Sequence, residues 1–317
     1  MPPFAALVCF RGVLQDAAVP VCLIYNPAAQ GEKAKKIRGF LESLRGDCVL
    51  RGTTGPGAAR TLARAAVEEG FDTIVAAGGD GTINEVVNGL AEAPEGCARA
   101  RLGLLPSGTV NVFAQELGIP LDVPRAWEVV QQGHEIRIDL PRADFSTNVA
   151  PQRRYFVQMG GAGLDALAVE RTSWELKKKI GRFAYVVSAL KALRAGLPQI
   201  TVTADGRAFS GELVLLGNGR YYGGSFPLFR RASLRDGLLD VCVFPKVTMP
   251  VLLRYAWSCI AQRDTASATE RHFTAARVEL TCPSRAPFEL DGENIGCLPV
   301  ACSVQREALR VLAPPPK

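Results

Sequence analysis

The stretch from Phe71 to Leu90 limits the choice of fold more than any other part of the chain. Thr73-Ile74-Val75-Ala76-Ala77 reads as a short buried strand and runs straight into Gly78-Gly79-Asp80-Gly81-Thr82. Beyond it, Ile83, Val86, Val87 and Leu90 recur at i, i+3, i+4 and i+7, which predicts an amphipathic helix. A glycine-rich turn bearing a carboxylate therefore joins a strand to a helix N-terminus. The first helical turn offers unpaired N–H groups and the positive end of the helix dipole, and both favour an anion such as phosphate. Glycine removes the Cβ atoms that would keep a phosphate off the backbone. A tight turn without a ligand is the competing reading for a glycine pair alone. Asp80 favours the first reading, because a carboxylate beside a phosphate is repelled unless a cation or a transferable proton is also there. The whole turn points to a metal-assisted phosphoryl site.

A chain of 317 residues is long for one core, so two domains are expected. Hydrophobic content of 48% with 21% charged residues excludes bulk disorder. No apolar run reaches the roughly 18 residues of a membrane-spanning helix. Ala5 to Phe10 is too short for a signal h-region and is broken by Arg11, so a cytoplasmic protein is expected. The nine cysteines are odd in number and scattered without a C-x-x-C pair, and His134 and His272 are the chain's two histidines. That pattern argues against a zinc site or a disulfide framework. A formal charge of +6 favours anionic partners, whether nucleotides, lipid head groups or nucleic acid. Nucleic acid ranks last, since aromatic residues are not interleaved with the basic ones as a stacking groove needs.

Strand and helix alternate through the first part: a strand over Val21 to Tyr25, helices over Glu32 to Leu44 and Ala58 to Glu69, the glycine-turn unit, and a strand over Arg101 to Leu105. This order predicts a doubly wound, mostly parallel α/β domain over residues 1–133, whose ligand lies beyond the carboxyl ends of the strands. Asn26-Pro27, Gly78 to Thr82 and Ser107 to Asn111 all occupy such positions. Past Gly133 the pattern becomes short strands between turn residues. Tyr155 to Met159, Ile200 to Ala204, Glu212 to Leu216, Leu239 to Phe244, Arg277 to Thr281, Phe288 to Leu290 and Leu309 to Leu312 fit an antiparallel β-sandwich over residues 134–317. Its C-terminal tail is expected to be able to pack back on the first domain. Trp174 to Leu193 and Val251 to Gln262 read as helices within it.

The turn is neither a Walker A loop nor a dinucleotide fingerprint, and no protein-kinase H-R-D or D-F-G set occurs. Gly78 to Gly89 instead resembles the nucleotide-binding signature of the diacylglycerol kinase catalytic-domain family, which includes bacterial lipid kinases and sphingosine kinases. Further segments match in order: Tyr25-Asn26-Pro27, Thr53 to Ala59, the Gly108-Thr109-Val110-Asn111 loop, Asp236-Gly237-Leu238-Leu239-Asp240, and Asp291-Gly292-Glu293. The match spans almost the whole chain.

The resemblance implies an NAD kinase-like or diacylglycerol kinase-like fold and an ATP-dependent lipid kinase acting in lipid metabolism and phospholipid biosynthesis. ATP would be held by Asn26, Pro27, Thr53, Gly78, Gly79, Asp80, Gly81, Thr82, Ile83, Asn84, Glu85, Ser107, Gly108, Thr109 and Asn111. Glu293 would be the general base, with Asp80 orienting the γ-phosphate through Mg²⁺; in the sphingosine kinase branch the carboxylate matching Asp80 is itself proposed as base, so both stay in the catalytic set. Ser233, Asp236 and Leu238 would form an accessory Mg²⁺ site, partly through backbone carbonyls. One carboxylate from each domain suits the chemistry, since the hydroxyl needs a base while the phosphoryl group needs in-line placement and charge neutralisation. Two departures stand out: Val112 replaces an Asp common among relatives, and Ala29-Gln30-Gly31 replaces the usual opening loop.

Leu176, Ile180, Phe183, Val187 and Leu190 form a stripe on the Trp174 to Leu193 segment, flanked by lysines and arginines. Such a helix can pack its stripe in the core or lie at a membrane interface. Asp165, in a preceding Gly-x-Asp segment that resembles one near the family's lipid entrance, becomes a candidate for acceptor contact. The expected partners are ATP and a lipid at the inner face of the membrane, reached transiently and without spanning. Diacylglycerol, phosphatidylglycerol, a sphingoid base and ceramide are all open as acceptors, as is a homodimer. A soluble-substrate kinase of the NAD kinase type and a catalytically silent lipid-binding regulator are the competing readings.

Overall fold

A computed structural model describes residues 21–28, 32–44, 46, 48–147, 149–171, 193, 196–224, 226–254 and 270–316. All but the last residue of the expected helix over Trp174 to Leu193, the segment Ala29-Gln30-Gly31 and most of Val251 to Gln262 lie outside the described residues.

In the front half, β1 (Val21–Tyr25), β2 (Cys48–Gly52), β3 (Thr73–Gly78) and β4 (Arg101–Pro106) run parallel in the order β2-β1-β3-β4. The connecting helices are α1 (Glu32–Ser43), α2 (Ala58–Glu68), α3 (Asp80–Glu92), α4 (Gly96–Arg99), α5 (Val112–Glu116) and α6 (Val123–Gln132). β3 is buried at every position, as a central parallel strand covered on both faces should be. α2 buries Ala59, Ala63, Ala66 and Val67, and α3 buries Ile83, Val86, Val87 and Leu90, the stripe read from the sequence. The two helices approach backbone to backbone at Gly89, where a Cβ would run into the carbonyl of Arg60. α6 starts at Asp122, whose side chain accepts from the Arg125 amide at 3.2 Å, and ends at Gly133 in the left-handed region.

The back half contains β5 (Glu135–Ser146), β6 (Pro151–Tyr155), β7 (Met159–Gly163), α7 (Leu164–Arg171), β8 (Ile200–Ala204), β9 (Arg207–Gly211), β10 (Leu213–Gly217), β11 (Tyr221–Tyr222), β12 (Phe226–Pro227), β13 (Leu239–Phe244), β14 (Arg271–Ala275), β15 (Arg277–Thr281), β16 (Pro287–Leu290), β17 (Glu293–Cys297) and β18 (Val300–Leu312). One antiparallel sheet has the order β14-β13-β10-β7-β16-β17. The other joins the front half, running β2-β1-β3-β4-β18-β15-β8-β9, with β5 on β18 and β6 on β5. Phe145, Ile200, Val202, Leu280 and Val300 from this sheet meet Val214, Leu216, Val241 and Phe288 from the other to form the sandwich core. The fold is thus a mixed α/β domain followed by antiparallel sheets.

β8, β13 and β15 match the sequence reading to the residue. The single strand expected over Tyr155 to Met159 is two: β6 ends at Tyr155 and β7 starts at Met159. The amides of Val157, Gln158 and Met159 bond to the Asp291 side chain, so this apolar run turns a corner instead of continuing one ladder.

Candidate active site

Three loops converge on the N-terminus of α3. The first is the turn at Gly78 to Thr82, where Gly79 is the N-cap, in extended conformation, and no side chain caps the helix. The second is the loop at 107–111. Asn111, itself in the left-handed region at φ 55°, closes it by accepting from the Gly108 amide and donating to the Gly108 carbonyl, both at 2.9 Å. The loops meet backbone to backbone: a Cβ on Gly108 would lie 2.5 Å from the Gly79 Cα and 2.8 Å from Asn111 Oδ1. Only glycine fits there. The Ser107 amide adds a bond to the Gly78 carbonyl at 3.0 Å.

The third is the tight turn between β16 and β17. Leu290 pairs with Glu293, and Asp291 and Gly292 between them have φ of 48° and 83°, the two left-handed residues of a type I′ hairpin. Asp291 fastens this turn to the rest of the molecule, accepting from the amides of Val157, Gln158 and Met159 at 2.9 to 3.0 Å and from Asn84 Nδ2 at 2.7 Å. Glu293 is exposed and points back at the glycine turn, with Oε1 3.5 Å from where a Cβ on Gly81 would stand. An acidic group of the sandwich half therefore reaches the residue next to Asp80.

Asp80 begins α3 and turns toward α5, where Oδ1 accepts from the Phe113 amide at 3.4 Å. Burial pushes its carboxyl above the ordinary aspartate range, against the pull of backbone amides at Val112, Phe113 and Asn111. Val112 thus meets Asp80 through its backbone, while its side chain is buried.

The remaining candidates divide into two groups. Asn26, Pro27 and Thr109 are exposed around the cleft and Thr53 is partly exposed; the Thr53 amide bonds to the Tyr25 carbonyl at 2.9 Å, placing the β1 and β2 ends together. Thr82 lies over Gly78. By contrast, Ile83 and Asn84 are buried, and the Asn84 amide serves Asp291 and the Tyr155 carbonyl. The Glu85 carboxylate accepts from the amides of Gly57 and Ala59 at 2.8 and 3.0 Å, fixing the start of α2.

Ser233, Asp236 and Leu238 lie on a separate loop, where Asp236 Oδ1 accepts from the Leu238 amide at 3.0 Å. Asp139, wholly buried on β5, holds this loop through the Gly237 amide at 2.6 Å and holds β18 through the Glu307 amide at 2.8 Å. Burial and the charge of Asp236 push Asp240 up to about 6. Among the described residues no group of three or more His, Cys, Asp or Glu side chains is gathered for a metal. Asp165, at the start of α7, accepts from the Tyr222 hydroxyl at 2.7 Å.

Glu116 is a contact that the sequence did not announce. Its side chain is 5% exposed at the end of α5, pairs with Arg220 Nε at 2.8 Å and accepts from the amides of Arg220 and Tyr221. It ties α5 to β11 and, through Gln158 Nε2, to the 156–158 corner, and only the helical position of an acid followed by an apolar residue could have hinted at it.

Residues 20–143 match the model of the diacylglycerol kinase catalytic domain, and residues 159–313 match that of the YegS C-terminal NAD kinase beta sandwich-like domain. A protein of Bacillus subtilis (strain 168) named diacylglycerol kinase is 33% identical over 288 residues, covering 87% of this chain and 90% of its own. The chain belongs to the diacylglycerol kinase catalytic-domain family. A further member from Staphylococcus carnosus (strain TM300), also named diacylglycerol kinase, is 28% identical over 92% of this chain and 94% of its own. The solved structure of a diacylglycerol kinase from Bacillus anthracis str. Sterne superposes with a TM-score of 0.68 at 23% identity, covering 94% of this chain and 97% of that one. The fold extends to yeast NADH kinase complexed with NADH, at a TM-score of 0.53, 10% identity, and coverage of 94% and 84%. Membership makes the chain a kinase-family phosphotransferase. Among the described residues no helix is long and apolar enough to cross a membrane.

Proposed function

We propose that this protein is an ATP-dependent lipid kinase that transfers the γ-phosphoryl group to the hydroxyl of a diacylglycerol-like lipid, working at a membrane surface without spanning it. One observation carries the reading: Glu293, from the sandwich half, stands 3.5 Å from the Cβ position of Gly81 in the turn where a phosphate chain would lie. The glycine turn and the Gly108 loop, with Thr53, Thr109 and Asn26, would hold ATP. Glu293 is exposed to an incoming hydroxyl, whereas the Asp80 carboxyl is turned into the fold toward the amides of residues 111–113, which favours Glu293 as the base. In the transfer, the lipid oxygen bonds to the γ-phosphorus as the bond to the ADP oxygen breaks, and the hydroxyl proton passes to the carboxylate.

The loop at 233–238 carries Asp236 in the neighbourhood of Asp240, whose carboxyl is pushed up to about 6 by burial first and the Asp236 charge second, and carboxylate oxygens are the donors that suit Mg²⁺. Ser233, Asp236 and Leu238 would hold it. A Mg²⁺ bound there would supply positive charge beside these carboxylates.

The test is ATP turnover with dioleoylglycerol in mixed micelles. Wild type should form phosphatidic acid, and Glu293→Ala should keep its thermal midpoint but lose at least 100-fold in kcat, in line with the usual contribution of a general base. Phosphorylation of NAD in a parallel arm would favour the soluble-substrate reading. Vesicle binding with no turnover would favour a silent regulator.

A further inference from the structure

Behind the turn that carries Glu293 lies an acidic cluster that the proposed transfer does not use. Glu289, on β16, is wholly buried. Its Oε1 accepts from the Tyr222 hydroxyl at 3.1 Å, and its Oε2 accepts from the Gly292 amide at 2.7 Å. The same Tyr222 hydroxyl lies 2.7 Å from Asp165 Oδ2, so it bridges the two carboxyls. The facing residue on β7 is Gly161, which pairs with Glu289 across the ladder. A Cβ there would stand 2.6 Å from the Tyr222 oxygen, 2.9 Å from Asp165 Oδ2 and 3.1 Å from Glu289 Oε1. Glycine at 161 thus leaves the space that these three polar atoms occupy.

We infer that Glu289 is a positioning residue for Glu293, gripping the Gly292 amide with one carboxylate oxygen while Asp165 and Tyr222 lock the other, so that the turn presents Glu293 to the glycine-lined cleft. The inference rests on the kinase reading for its catalytic consequence, but its structural content is independent of it. Asp291 secures the outer side of the same turn through the three amides of residues 157–159. Glu289 secures the inner side, one bond before Glu293. The Asp-Gly pair sets the type I′ turn by itself, and the two holds fix where that turn sits against β7 and α7.

The cluster also needs a proton. The groups facing Glu289 are Asp165 from α7, Tyr222 from β11 and Asp291 from its own turn, and all are acidic. Burial, then the neighbouring Asp165 charge, pushes Glu289 well above the ordinary glutamate range; burial pushes Asp165 up as well. One shared proton between the carboxyls satisfies both, and its loss as pH rises would set two charges against each other inside the protein.

Glu289→Leu and Glu289→Gln test this. The leucine fills the volume and needs no proton but cannot hold Gly292; the glutamine keeps an acceptor for Gly292 and donates to Asp165. Hydrogen exchange of a peptide spanning 288–297 reads the turn directly: Glu289→Leu should speed exchange there at least tenfold, and Glu289→Gln should restore protection. In the lipid assay Glu289→Leu should lower kcat at least tenfold with KM for the lipid within twofold, Glu289→Gln should recover at least a third of wild-type kcat, and its alkaline limb should move to higher pH. Unchanged exchange in Glu289→Leu overturns the positioning role whatever the enzyme does. Fast exchange with unchanged kcat overturns the link to Glu293. Failure of the kinase reading would show elsewhere, in an inactive wild type or a fully active Glu293→Ala.

Discussion

Asp291 and Glu293 sit two residues apart and do opposite work. Asp291 uses its oxygens on the amides of Val157, Gln158 and Met159 and on Asn84, so it joins β16, the 156–158 corner and α3. Glu293 is exposed beside Gly81. Asp291→Ala should therefore cost stability before it costs chemistry. It strands several partly buried amides, for about 3 kcal/mol or more by the usual penalty of lost partners to a charged acceptor. Urea unfolding would measure it, and Asp291→Asn, which keeps one acceptor oxygen, should fall between Ala and wild type. A loss under about 1 kcal/mol for Ala would mean that water replaces these bonds. The signature side chains Asn84 and Glu85 share the structural role of Asp291, since one binds Asp291 and the other caps α2. A linear sequence shows that these polar groups lie near the turn but not which way each one faces.

At the level of elements, the cleft is made by two loops whose glycines touch. Gly108→Ala would place a methyl 2.5 Å from the Gly79 Cα, and backbone on both sides leaves it nowhere to go. The two loops must separate, at about 1–3 kcal/mol of overpacking. KM for ATP should rise at least tenfold while the sandwich half keeps its fold, and isothermal titration with ATP checks the binding directly; ATP affinity within twofold of wild type would contradict the cradle. This element pair was legible because periodicity named β3 and α3 and glycine named the turn between them. The Asp-Gly hairpin was equally legible as a turn, and the type I′ geometry agrees with it. β5, β9, β14 and β17 were not. β5 reads Glu135-Ile136-Arg137-Ile138-Asp139, with charges where a strand pattern expects polar surface, yet Asp139 is buried because Gly237 and Glu307 supply its partners. The alternation of Ile136 and Ile138 with charged neighbours does fit a strand, and what the sequence hides is that Asp139 is buried among partners far along the chain.

Over the whole molecule, β18 is the strand that makes two halves into one sheet. It pairs antiparallel with β15 and β5, then runs on so that Val311 pairs in parallel with Leu102 of β4. Only its last four residues, Leu309 to Leu312, were apparent from the sequence, because Gln305 to Ala308 interrupt the alternation where the β5 register shifts. Arg310 lies at this junction. It forms a two-pronged pair with Glu135 at 2.8 and 2.7 Å and also donates to the Ala98 carbonyl at 2.8 Å, joining β18, β5 and α4. The hydrogen bond from Arg310 holds the Glu135 carboxyl below its ordinary range. A carboxyl lowered in the fold stabilises above its unfolded pKa, near 4.3, and that contribution disappears as pH falls through the lower folded value. Glu135→Gln should therefore cost about 1 kcal/mol at pH 7, the size expected of a well-formed but partly exposed pair. The cost should start to shrink as pH falls below about 4.3 and reach zero only beneath the lowered folded value, where both proteins are neutral at this position. Urea midpoints of the two proteins at descending pH measure the gap. A gap of constant size would assign the effect to packing of the side chain, and no gap at pH 7 would leave the sheet alone as the link between the halves.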